Sequence, residues 1–62
     1  MPIIIVELLE GRTTEQKSRL AKAIANSVAE ALEISKDQID IVIHDIPKTN
    51  IAKAGILASE RK

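Results

Sequence analysis

The apolar positions of this chain change period twice, and each change marks an element. Residues 3 to 9, Ile-Ile-Ile-Val-Glu-Leu-Leu, are apolar on both faces except at Glu7 and are mostly β-branched, the pattern of a strand covered on both sides. Glu10-Gly11-Arg12 breaks the run. Thr13-Thr14-Glu15-Gln16 then offers a capping box, in which the Thr13 hydroxyl accepts the Gln16 backbone N–H. Leu20, Ile24, Val28 and Leu32 recur at every fourth position, flanked by Ala21, Ser27 and Ala31, while Lys17, Lys22 and Glu30 fall mainly on other faces. This predicts a helix from about Thr14 to Glu33. Ser35, with Gln38 three residues on, predicts one short helical turn. Strand periodicity returns near Ile39: isoleucine at 39, 41 and 43 forms the face that packs on the helix, and Asp40, Val42 and His44 point the other way. Pro47 stops this strand, Lys48-Thr49-Asn50 is turn-prone, and Gly55 could turn a small hairpin in the tail.

A strand, a long helix and a second strand make a β-α-β unit with a parallel pair and a right-handed crossover. The expected fold is therefore α+β, a single domain over residues 1–62 with a short C-terminal hairpin. Two parallel strands under one helix leave two open edges and one uncovered face, which carries Ile3, Ile5, Leu9 and Val42. That apolar face is a predicted interface between copies.

Size and composition sharpen this expectation. A chain of 62 residues buries only about 60% of the surface that its unfolded form exposes, and small chains usually add disulfides, a metal or an oligomer. With no Cys and a single His, neither a disulfide nor a metal is expected, and oligomerisation remains. The absence of Phe, Tyr and Trp removes the platform on which single-stranded nucleic acid stacks. Nine basic and nine acidic residues cancel, leaving no net field for nucleic acid or an anionic membrane. No apolar run approaches the ~20 residues that span a bilayer, and the N-terminus lacks the basic region of a secretory signal. A soluble, cytoplasmic protein with no nucleic-acid or membrane partner is expected.

Few residues carry candidate chemistry. His44 has only Asp40 and Asp45 near it in sequence, and of these only Asp40 shares its face, so it reads as a surface or interface histidine with a carboxylate or carbonyl partner. Two glycines cannot build a phosphate loop. Arg12 stands after a glycine turn beside a capped helix N-terminus; both features attract anions, although a solvated turn arginine fits the same spacing. Pro2 is either an ordinary strand-start residue or, once Met1 is removed, a free secondary amine. As a base it would need a pKa brought toward neutrality, which apolar walls and a nearby cation both promote.

Pro2 before an apolar strand, Leu9-Glu10-Gly11-Arg12, Thr-Thr-Glu-Gln-Lys at 13–17, the long helix and the second strand together resemble the 4-oxalocrotonate tautomerase family over nearly the whole chain. The resemblance implies a homohexamer that needs no cofactor and has the amino-terminal proline as general base. Its substrate would be a small enol or dienol acid: the amine takes the proton of the 2-hydroxyl group and returns one at carbon five, giving the conjugated 2-oxo isomer. Pro2 matches the base, and Arg12 matches the arginine that binds a substrate carboxylate from a neighbouring subunit.

Two departures bear on the substrate. Where family members acting on dicarboxylates have a second arginine that polarises the 2-oxo group, this chain has Asp40, which would repel an anion and weaken enolate stabilisation. Ile51 replaces the aromatic wall of the pocket. Lys48 and Lys53 are candidate cations that could contact a carboxylate in compensation, although lysine lacks the bidentate fork of arginine; both could equally be solvated. Two alternatives stay open: a hydratase or dehalogenase of an unsaturated acid that uses Asp40 to activate water, and an oligomeric binding protein that has lost catalysis.

Overall fold

Strand β1 (Ile3–Leu9) pairs in parallel with β2 (Asp40–Ile46) in a computed structural model that describes residues 1–61. The register runs from Ile3 opposite Asp40 to Leu9 opposite Ile46. Helix α1 (Thr14–Leu32) connects them, giving the expected α+β unit. Ile4, Val6 and Leu8 of β1 and Ile41 and Ile43 of β2 are half-buried, as are Leu20, Ile24 and Val28 of α1. The alternate residues Ile3, Ile5, Leu9 and Val42 stay exposed, so the sheet has one covered and one open face, as the alternation predicts. No helix among the described residues is long and apolar enough to cross a membrane.

The helix starts where its cap directs. Gln16 N–H donates to Thr13 Oγ1 at 3.1 Å, and Thr13 N–H donates to Gln16 Oε1 at 2.9 Å, so each satisfies a donor that the first turn leaves free. The helix ends one residue before the predicted Glu33, which caps it in the left-handed conformation (φ 55°) and donates its N–H to Ala29. Leu32 is exposed despite its place in the fourfold repeat. At about 100° per residue Leu32 lies at an angle between those of the half-buried Ala21 and Ala25, so its exposure comes from its place as the last residue of the helix rather than from its face.

The link to β2 differs in detail from expectation. Ser35 Oγ accepts from Asp37 N–H at 3.3 Å rather than from Gln38, whose N–H goes to the Ser35 carbonyl at 3.1 Å. The turn at Lys36–Gln38 is 3₁₀, and its tighter winding brings the second amide within reach of the hydroxyl. After β2 and a 3₁₀ turn at Lys48–Asn50 comes an antiparallel hairpin of β3 (Ala52–Lys53) and β4 (Ile56–Leu57). Its two-residue loop has φ 54° at Ala54 and φ 81° at Gly55, the signs of a type I′ turn. A last 3₁₀ turn covers Ala58–Glu60.

Candidate active site

Pro2 leads into β1 and is half-buried. Its carbonyl accepts the Asp40 N–H at 3.0 Å, so the ladder fixes its backbone, while its nitrogen has no hydrogen to give a ladder. Met1 ahead of it is 77% exposed. Asp40 is the register partner of Ile3, and both are exposed on the open face. A carboxylate therefore stands beside the proline end of the sheet.

The other predicted residues gather at the opposite end. At about 3.3 Å per strand residue, Leu9 lies roughly 23 Å from Pro2. Beyond Leu9, Glu10 ties two segments together: its N–H donates to the Ile46 carbonyl at 2.9 Å, and its Oε2 accepts the Lys48 N–H at 2.9 Å. Gly11, at φ 117°, turns the chain through a conformation that side chains disfavour and delivers Arg12 to the front of α1. There Arg12 lines a groove with Leu8, Gln16, Lys17 and Leu20. Lys17 also pairs with Asp45 of β2, which joins helix to sheet on the covered side.

A second groove lies at the hairpin, lined by Leu9, Ile51, Ala52, Lys53, Ala58 and Arg61. The structure thus brings Ile51 and Lys53 together and sets Arg12 in a separate groove. Lys48 lines neither, and its backbone is held by Glu10. Within one chain Pro2 is remote from all four.

Sequence reasoning missed Arg61. Its only forewarning was the turn at Gly55, which folds the residues after Leu57 back toward Ile51; Ala58 N–H donates to the Ile51 carbonyl at 2.9 Å. His44 has the carboxylate partner expected of it, but that partner is neither neighbouring aspartate. Its Nδ1 lies 3.4 Å from Glu7 Oε1 across the parallel pair, because Glu7 and His44 share one register position on the open face.

Comparison with known proteins agrees with this architecture. Residues 2–61 match the tautomerase enzyme family. The 2-hydroxymuconate tautomerase of Comamonas testosteroni is 35% identical over 60 residues, covering 97% of this chain and 95% of that protein. Among solved structures, a heterohexamer 4-oxalocrotonate tautomerase from Chloroflexus aurantiacus superposes with a TM-score of 0.92 at 32% identity, covering 100% of both chains. One of the 4-oxalocrotonate tautomerase isozymes from Methylibium petroleiphilum does so with a TM-score of 0.89 at 40% identity, over 94% of this chain and 91% of that one. With its Pro2 start, its Gly11-Arg12 turn and its β-α-β unit closed by a hairpin, the chain belongs to the 4-oxalocrotonate tautomerase family.

Proposed function

We propose that this protein is a homohexameric tautomerase that moves a proton within a small 2-hydroxydienoate or enol acid to give the 2-oxo isomer, with Pro2 as general base after loss of Met1. The observation that carries the reading is the setting of Pro2. Its carbonyl is pinned by the Asp40 N–H at 3.0 Å and its nitrogen stands outside the ladder. With Met1 attached, that nitrogen is an amide without a basic lone pair; freed, it is a secondary amine held on a rigid strand.

The reaction follows from that amine. It accepts the proton of the substrate 2-hydroxyl as the 2-oxo group forms, electron density shifts along the diene, and the resulting ammonium returns a proton at carbon five. The substrate is an isomer of the product, so no other reactant is consumed. Arg12 holds a substrate carboxylate, Ile51 excludes water as an apolar wall, and Lys53, in the hairpin groove, and Lys48 are candidate cations for a second anionic group. The distance of roughly 23 Å between Pro2 and Leu9 in one chain supports a site in which the Pro2 of one subunit works with the Arg12 and Ile51 of another. The open apolar face supports that assembly.

Mass spectrometry of cell-derived protein tests the mechanism directly. The active chain begins at Pro2, and replacing Pro2 with alanine, or retaining Met1, lowers turnover of phenylenolpyruvate by roughly 10²–10⁴-fold. Active protein that retains Met1 rejects Pro2 as the base.

One observation favours a second reading. Asp40 stands in register beside the Pro2 end of β1, where a carboxylate could activate water for addition to an unsaturated acid. Product analysis separates the two: halide release from a haloacrylate supports the hydratase, and ketonisation of a 2-hydroxydienoate supports the tautomerase.

A further inference from the structure

We propose that Arg61, together with Lys53, forms a carboxylate-binding subsite at the C-terminal hairpin and supplies from a different element the cation that Asp40 replaces in β2. The inference rests on the tautomerase reading for its substrate, but not for its test.

The groove is apolar where Leu9, Ile51 and Ala58 line it, and its charged lining residues are Lys53 and Arg61. Its volume of about 190 Å³ lies below the roughly 300–1,000 Å³ of sites that enclose a whole ligand, so it suits one end of a small acid. The type I′ turn at Ala54-Gly55 reverses the chain, and the bond from Ala58 N–H to the Ile51 carbonyl continues the reversal. Arg61 is thereby returned to Lys53, whose carbonyl accepts from Arg61 Nη2 at 3.5 Å. That contact, at the long end of hydrogen-bonding range, engages one of the guanidinium N–H groups. The remaining donors can meet a carboxylate in a bidentate fork, which a lysine alone cannot form.

Among the described residues, no acidic side chain pairs with Lys53 or Arg61; the ion pairs are Lys17 with Asp45 and Glu7 with His44. Glu60, the acid adjacent to Arg61 in sequence, turns back so that its Oε1 accepts the Leu57 N–H at 3.2 Å. Two cations over an apolar floor suit a carboxylate carried on an unsaturated hydrocarbon stem. Arg12 lines the other groove, beside Leu8 on the covered side of β1, so the hairpin subsite and Arg12 engage different carboxylates.

The test is a binding measurement that needs no turnover. Muconate and sorbate share a six-carbon diene and differ by one carboxylate, and neither has a hydroxyl group to tautomerise. Titration calorimetry on the intact assembly, carried out in the Pro2→Ala background, should show muconate bound roughly tenfold more tightly than sorbate, the size of one charge-assisted contact. Arg61→Ala should erase that preference and leave sorbate within about twofold of its original affinity. Arg61→Glu should reverse the preference, with sedimentation confirming that the oligomer persists. An unchanged muconate-to-sorbate ratio in both variants, or no preference in the parent, overturns the subsite. Because the base is absent throughout, neither result depends on whether Pro2 is catalytic.

Discussion

Asp40 stands where the resemblance to the family would place a second arginine. It places a carboxylate in register with Ile3 at the proline end of the sheet, where a bound enolate would feel it. Two like charges a few ångströms apart at a partly solvated site cost on the order of 1 kcal/mol or more, and Asp40 is exposed, which keeps the effect near the low end. Asp40→Arg should therefore raise kcat/KM for a 2-hydroxydienoate by roughly tenfold, and Asp40→Asn by less, as read from steady-state kinetics at fixed ionic strength. A fall in activity would mark Asp40 as a participant rather than an obstacle. Pro2 and Arg12 could be put forward from the sequence because each sits in a local motif, a proline before a strand and a glycine turn before a cap. Arg61 was not legible. Its meaning depends on a chain reversal that returns it to Lys53, eight residues earlier, and no periodicity records such a contact.

Elements with a repeated pattern were readable, and those without one were not. The helix and both long strands carry enough residues for a period to show, and the Thr13 cap fixes a boundary with two reciprocal bonds. The hairpin strands have two residues each, too few for any alternation, and only Gly55 signalled a turn. That turn contains a local conflict: Ala54 adopts φ 54°, a left-handed conformation that costs an ordinary L-residue about 1–2 kcal/mol. Asparagine tolerates it better and is favoured in type I′ turns. Ala54→Asn should stabilise the hairpin by about 1 kcal/mol, seen as slower amide exchange at Lys53 and Ile56. Unchanged exchange there would show that the hairpin is held by packing rather than by its turn.

At the scale of the molecule, the isolated chain has no residue buried enough to count as core among those described. Its Cα radius of gyration is 14.7 Å, whereas a compact chain of this length would have about 11 Å. Both facts follow from a sheet covered on one side and a hairpin that extends away from it. The sequence foretold the uncovered face through Ile3, Ile5, Leu9 and Val42, because a lone helix can cover only one side; the number of copies that meet there was read from resemblance instead. Ile5 is 61% exposed in one chain, so a lysine at that position costs an isolated subunit almost nothing. In an assembly that buries this face, the lysine leaves an unpaired charge. Ile5→Lys should therefore abolish the oligomer in sedimentation and lower the melting temperature steeply, whereas wild-type sedimentation and melting for the variant would move the interface elsewhere.

The open face has a consequence for descent as well as for stability. A surface that recognises its own copy recognises any chain with the same side chains at the same register. A duplicated gene for such a protein begins as a supplier of subunits to its parent's assembly, and its product becomes a separate protein only when residues such as Ile3, Ile5, Leu9 and Val42 diverge together.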